Sequence, residues 1–431
     1  MPNPPPTTAR PQGINMANMS TPPTTLSPPP ASPRPQLAHL TAALDDLRAR
    51  GTYFHLRVLD DAQAPVCHYD GREVINLASN NYLGLCNDPR LEEAAIAATR
   101  KYGAGSGAVR TIAGTMRIHL ELEEKIAAFK NVEACVVFQS GFTANAGTVS
   151  SILGKDDFIL SDELNHASII DGARLSRAKI KVFRHKDVAH CEELLQEVAS
   201  EPGRKLVITD GVFSMDGDIG PVGKLAALAT QYGAIMMVDD AHASGVLGRN
   251  GRGSVDHFGV HGQVDVQVGT LSKAIGALGG YVCGSRDLID YLYHRARPFL
   301  FSTSHPPSVA ATCIAAFDIL ETEPERIERL WSNTRYFQDE LKRAGFNIGG
   351  VTTPATETPI TPIIVGEGRA AMEFSRALFD EGVMATGIGF PTVPEGKARI
   401  RAILTSEHTK AQLDQALETF ERVAKRLGIL G

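Results

Sequence analysis

The sequence lacks any apolar run approaching the roughly 18 residues that a membrane helix needs, and the expectation is a water-soluble protein. Paired cysteines are missing too. Cys67, Cys86, Cys135, Cys191, Cys283 and Cys313 lie far apart, with no C-x-x-C spacing of the kind that builds a zinc or redox site. They read as small buried residues in a reducing compartment, with no metal centre. The N-terminus has no basic start followed by an apolar centre, so no secretory leader is expected and the cytoplasm is the expected location. Charge of one sign is not in excess. With 43 basic and 49 acidic residues the formal net charge is -6, and without a basic stripe to hold a polyanion, nucleic acid is not an expected partner. No repeat with a period of about 20–50 residues is visible, which argues against solenoids and propellers.

What is present is unevenly distributed. The first 35 residues hold twelve of the 25 prolines and no acidic residue, a composition that cannot bury a core. Residues 1–35 are expected to be disordered. Met16 and Met19 within them leave room for a later translation start, and a proline-rich docking arm is the sharper alternative. Residues 36–85 form an N-terminal segment that opens with helical spacing at Leu37, Leu40, Ala43 and Leu47 and reaches a short strand near 74–78. From 86 to 300, apolar runs at 134–138, 158–160, 179–183, 206–210, 234–239, 264–268 and 280–283 alternate with helix-length stretches. Strands apolar on both faces and joined by helices predict a large α/β cofactor-binding domain with a mostly parallel sheet. Residues 301–431 change to long helices near 306–322 and 325–345, short strands near 360–365 and 399–404, and a final helix from about 409. That pattern predicts a smaller α+β C-terminal domain.

Three polar tips follow consecutive predicted strands: 209–217 (Thr-Asp-Gly-Val-Phe-Ser-Met-Asp-Gly), 238–242 (Val-Asp-Asp-Ala-His) and 269–273 (Gly-Thr-Leu-Ser-Lys). Open α/β sheets place their ligands at such strand ends. A single tip is equally well a helix cap, but three in order, the last with a lysine, suit one chemistry. A pyridoxal electron sink needs a lysine to carry it and a carboxylate against its ring nitrogen, and Lys273 and Asp239 are the candidates. Small and apolar neighbours around Lys273 would desolvate its amine and make it a better nucleophile. Phosphate needs backbone N–H groups at a helix start, and the strand end, glycine and helical run at 139–145 supply them, with Thr270 adding a hydroxyl. His166, after another strand, is the candidate stacking partner for a ring, although a lone histidine is more often structural.

These segments, together with 78–85 (Ala-Ser-Asn-Asn-Tyr-Leu-Gly-Leu), 162–172 (Asp-Glu-Leu-Asn-His-Ala-Ser-Ile-Ile-Asp-Gly) and Arg399-Ile400-Arg401, resemble the α-oxoamine synthases of the fold-type I pyridoxal-phosphate enzymes. The resemblance covers nearly all of the chain from about 45 to 430. It implies that Lys273 bears the cofactor as a Schiff base and shuttles the α-proton, that Asp239 pairs with the ring nitrogen, and that His242 and Ser214 contact the ring's phenolic oxygen. It implies stacking by His166, phosphate contacts from Gly141, Phe142 and Thr270, and further phosphate contacts from Ser302 and Thr303 of a second subunit. A homodimer with shared active sites follows. Arg401 matches the residue that receives the amino-acid carboxylate, a task suited to its planar fork, and Asn80 and Thr392 match positions that touch substrate.

The implied reaction joins glycine or L-alanine to an acyl-CoA and yields an α-amino ketone. Within the family the string, above all 210–217 and 301–302, leans to the glycine C-acetyltransferases of threonine degradation. The segments 105–110 and 391–394 lean to the 8-amino-7-oxononanoate synthases of biotin synthesis. Glycine with acetyl-CoA is the first expectation, with L-alanine and pimeloyl-CoA beside it. Gly387 and Gly389 are expected to leave room for a longer acyl chain, and Arg57 is a candidate partner for a distal carboxylate. An aminotransferase, or a non-catalytic cofactor-binding regulator, stays open as an alternative.

Overall fold

The computed structural model describes residues 35–349, 357–390 and 392–430. The expected disorder and the possible start sites in the proline-rich stretch 1–34, and Pro391, fall outside the described residues. The chain divides into two compact units, Met1–Phe54 and His55–Gly431. In the first, the leucine spacing forms the helix Ala38–Ala49, and the Arg48 guanidinium lies 4.7 Å over the Tyr53 ring.

The second unit is organised on a seven-stranded sheet. Its strands follow a hairpin of β1 (Val66–Tyr69) and β2 (Arg72–Asn76) and are β3 (Ala134–Phe138), β4 (Phe158–Asp162), β5 (Lys179–Phe183), β6 (Lys205–Asp210), β7 (Ile235–Asp239), β8 (Val266–Thr270) and β9 (Gly280–Gly284). Their order is β3-β9-β8-β7-β6-β4-β5, with β9 antiparallel to both its neighbours and the other pairings parallel. Alternation along the strands explains why the runs are apolar throughout. Leu206, Ile208, Met237 and Val268 pack into one buried cluster, whereas Val207, Met236 and Val238 join another. Helices cover both faces of the central strands, which are therefore largely apolar, whereas the edge strand β5 carries Lys179 and Lys181 and leaves Ile180 and Val182 exposed.

A smaller C-terminal sheet pairs β10 (Ile360–Gly366) with β13 (Ala398–Ile403), and β13 with β12 (Thr386–Ile388), all antiparallel. The short β11 (Val383–Met384) instead runs parallel to β2. The fold is thus a mixed α/β fold with a large, mostly parallel sheet and a smaller C-terminal sheet and helices. No described helix is long and apolar enough to cross a membrane.

The parallel strands end on one edge with Asp162, Asp210, Asp239 and Thr270. Immediately after Asp239, the Asp240 side chain forms an ion pair of 2.9 Å with Lys130, and both side chains are fully buried. Lys130 also donates to the Arg252 carbonyl at 2.6 Å, and Ser254 donates from its backbone and its hydroxyl to Asp240. Removing one partner from such a pair strands the other charge away from water. Lys130→Met is therefore expected to cost about 3–5 kcal/mol of stability, read as a lowered urea midpoint, and adding Asp240→Asn should restore part of the loss.

Candidate active site

At the carboxyl edge of the sheet a cavity of about 200 Å³ is lined by residues that include Gly141, His166, Ser214, Asp239, His242 and Lys273. Local chemistry aims each of them. Ser140 caps the helix Gly141–Ile152 by accepting the Thr143 N–H at 3.1 Å, which leaves the N–H groups of Gly141 and Phe142 without a hydrogen-bond partner among the described residues. His166 caps the next helix, Ala167–Ser176, and its ring Nδ1 lies 2.7 Å from the Ser168 hydroxyl. Asp239 is held on both oxygens: Asn145 donates at 2.6 Å and the Ala241 N–H at 2.8 Å. Tyr82 places its hydroxyl 2.8 Å from His242 Nδ1.

Desolvation sets the charges. Burial, aided by the nearby Arg401 charge and opposed by Asp239, lowers the Lys273 amine from 10.5 to about 8. Burial, then the charges of Lys273 and Arg401, holds His242 well below its ordinary 6.5. His166 faces the open cavity, yet the surrounding protein strips enough water to lower it as well, with Asp239 opposing and Lys273 adding to the shift. Asp210, the cross-strand neighbour of Asp239, is pushed well above 3.8 by burial and then by the Asp239 charge. Its Oδ2 accepts the His166 N–H at 3.0 Å.

Most of the residues singled out from the sequence converge here. Gly141, Phe142, His166, Ser214, Asp239, His242, Thr270 and Lys273 all line the cavity. Arg401, nearly buried, donates through Nε to the Ser214 carbonyl at 2.6 Å and through Nη2 to Asn80 Oδ1 at 3.4 Å. Three do not join them. Ser302 and Thr303 are absent from the lining, and the Thr303 carbonyl instead accepts from Gln139 at 2.8 Å. Thr392 is exposed on a turn, its N–H donating to the Gly389 carbonyl at 3.0 Å.

One expectation about the acyl path needs correction. Gly387 offers no room, because a Cβ there would stand 2.8 Å from the Ala371 carbonyl of the helix Gly368–Asp380, whereas at Gly389 the nearest atom to a Cβ would be 3.5 Å away. Arg57 lies 3.2 Å from Asp70 and 3.3 Å over the Phe379 ring. Asn145 and Asp210 emerge as site residues that drew no role in the sequence. A polar side chain one helical turn after Gly141 was the available signal for Asn145, and a carboxylate ending a buried strand was the signal for Asp210.

The donor set suits pyridoxal phosphate. Unpaired N–H groups begin a twelve-residue helix, and Gly141 lines the cavity beside Thr270 with backbone alone. A fixed carboxylate lines the same cavity, and the Lys273 amine has no hydrogen bond or ion pair among the described residues. No group of His, Cys, Asp or Glu among them is arranged to hold a metal ion. In cofactor-free protein, lysine acylation followed by peptide mass spectrometry should show Lys273 gaining reactivity with a midpoint near pH 8, whereas exposed lysines follow the ordinary 10.5.

Residues 72–420 match the aminotransferase class I and II family. An 8-amino-7-oxononanoate synthase of Symbiobacterium thermophilum is 58% identical over 391 residues, spanning 91% of this chain and 98% of that protein. 8-Amino-7-oxononanoate synthase 1 of Bacillus subtilis is 54% identical over 391 residues, spanning 91% of this chain and 98% of its own. Among solved structures, serine palmitoyltransferase from S. paucimobilis with bound PLP superimposes with a TM-score of 0.86 at 33% identity, covering 92% of this chain and 99% of that one. A likeness this continuous leaves little of the folded chain outside it, and the chain belongs to the aminotransferase class I and II family, in its pyridoxal-phosphate-dependent α-oxoamine synthase branch.

Proposed function

We propose that this enzyme joins L-alanine to a pimeloyl thioester, giving 8-amino-7-oxononanoate, carbon dioxide and the free carrier thiol, a step of biotin synthesis. One observation carries the reading: relatives of that name share 51–58% identity over at least nine-tenths of the chain. Glycine with acetyl-CoA, the first expectation from the sequence, gains nothing from these relatives and becomes the second reading. It retains one point in its favour, the Gly389-Phe390 pair ahead of Pro391, neither of which carries a positive charge to meet a distal carboxylate.

When bound, pyridoxal phosphate supplies an electron sink for the amino acid's α-carbon. The chain's own residues do the rest. Lys273 Nζ anchors the cofactor and moves the α-proton, and an amine lowered to about 8 by burial exchanges a proton readily near neutral pH. Asp239, its oxygens fixed by Asn145 and Ala241, stands against the ring nitrogen. His166, its imidazole pKa lowered by burial and its ring oriented by the Ser168 hydroxyl while its backbone N–H donates to Asp210, would cover the ring of the cofactor. His242 and Ser214 face the phenolic oxygen. The N–H groups of Gly141 and Phe142 and the Thr270 hydroxyl take the phosphate, joined by Ser302 and Thr303 of a second copy. Arg401 receives the substrate carboxylate beside Asn80, its guanidinium oriented by the Ser214 carbonyl.

Thiol release measured with both substrate pairs on one preparation tests the reaction. L-Alanine with pimeloyl-CoA should exceed glycine with acetyl-CoA in kcat/KM by roughly 10-fold or more, because the worth of a methyl in a matching pocket is only ~1–3 kcal/mol. The reverse preference would establish the acetyltransferase reading. Lys273→Ala should fold and lose turnover. Arg401→Ala should retain the cofactor and raise the amino-acid KM roughly 10- to 150-fold, the equivalent of ~1.5–3 kcal/mol for a charge-assisted hydrogen bond. An unchanged KM would remove Arg401 from the carboxylate site.

A further inference from the structure

Beside the cavity, out of reach of any substrate, sits His185. Its Nδ1 lies 2.9 Å from Asp162 Oδ1 and its Nε2 lies 2.9 Å from Asp218 Oδ2, and all three side chains are within 1% of complete burial. A neutral imidazole has one N–H and one lone pair, so it would turn that lone pair towards a buried carboxylate. Two carboxylates at 2.9 Å therefore call for the doubly protonated ring. Burial opposes that charge, but the hydrogen bonds to Asp162 and Asp218 outweigh it and raise His185 from 6.5 to about 9.

The two carboxylates belong to two different loops of the active site. Asp162 ends β4 and begins the turn that presents His166, and it also accepts the N–H groups of Leu164 at 2.9 Å and Lys186 at 2.8 Å. Asp218 closes the loop that presents Ser214, where its carbonyl accepts the Phe213 N–H at 3.0 Å. The Phe213 ring meets the His185 ring edge-on with centroids 4.4 Å apart. Gly217 turns this loop at φ 69°, with a Cβ position only 2.2 Å from the Ile360 carbonyl, so the loop cannot relax there around a side chain. Other charged groups surround the imidazole. Glu163 accepts the His185 N–H at 2.9 Å, and Lys186 Nζ lies 3.3 Å from Asp218 and 3.4 Å from Glu357.

We propose that His185 is a positioning residue whose imidazolium ties the His166 turn to the Ser214 loop and so sets the spacing of those two side chains across the cofactor cavity. The inference rests on His166 and Ser214 serving the cofactor as proposed above. It also has a sign in pH. The folded value of about 9 lies above the ordinary 6.5, so the tie's contribution is complete below about 6.5, falls as pH rises, and is lost above about 9.

Hydrogen exchange by mass spectrometry on the holoenzyme, beside steady-state kinetics, tests this with His185→Gln and Asp218→Asn. Exchange in 163–166 and 211–220 should rise about tenfold in both variants while the core strands keep their protection. In the same variants kcat should fall about tenfold, with the acyl-thioester KM within about twofold of wild type. Wild type should show the same loop release between about pH 7 and 9.5, after correction for intrinsic exchange, and Asp218→Asn should show no such step. Unchanged loop exchange, a rise spread evenly over the chain, or a shared pH profile for wild type and Asp218→Asn would overturn the proposal. Should His185→Gln not fold, Asp218→Asn and the wild-type pH series decide. An error in the substrate assignment would leave the exchange pattern and its pH profile intact, so the two failures are distinguishable.

Discussion

Exclusion of water from one edge of the sheet is the constraint on which the chemistry of this protein depends. Burial penalises whichever form of a group is charged, so the same environment lowers Lys273, His166 and His242 and raises Asp210. The outcome is a cavity in which burial biases the imidazoles and the Asp210 carboxyl towards their neutral forms, with the fixed Asp239 side chain as the local partner for a cationic ring. Such a site is stable only if its polar atoms are held. Asn145, Ala241 and Ser168 supply those bonds from helix starts and strand ends, so the same turns that end the strands also orient the reacting groups.

Much of this was legible in the sequence because the signals are local. Most strands of the large sheet are short, apolar on both faces and bounded by polar tips, and β3 falls within a residue of its expected place, as do the edge strand β5, with its Lys179 and Lys181, and the final helix. Lys273 and Asp239 stood out because pyridoxal chemistry needs that residue pair and the strand-end context narrowed the choice. Arg401 was separable from Arg399 only by resemblance, since both alternate on one strand. In the structure Arg399 is fully buried against Asp216 and the Met215 carbonyl, whereas Arg401 reaches Ser214 and Asn80.

What escaped the sequence depends on contacts between distant segments. His185 looks like an ordinary residue after a strand, and its meaning comes from Asp162 and Asp218, which meet it only after the sheet has formed. Gly387 reads as open space until the helix Gly368–Asp380 packs onto it. The charge of Asp210 is a property of its burial and of a neighbour on the adjacent strand, and composition carries neither.

The strand order has a consequence for biosynthesis. β3, which leads into the helix start at Gly141, is the first strand of the large sheet to leave the ribosome and pairs only with β9, the last. Some 140 residues separate the two, so loop closure over that distance precedes any reward from the pairing. Until β9 is translated, an apolar β3 remains an open edge with no partner, and the nascent chain carries an aggregation-prone strand through most of the large sheet's synthesis. Chaperone dependence of this protein should therefore track the time between emergence of Phe138 and Gly280 and ease when translation through that interval is fast.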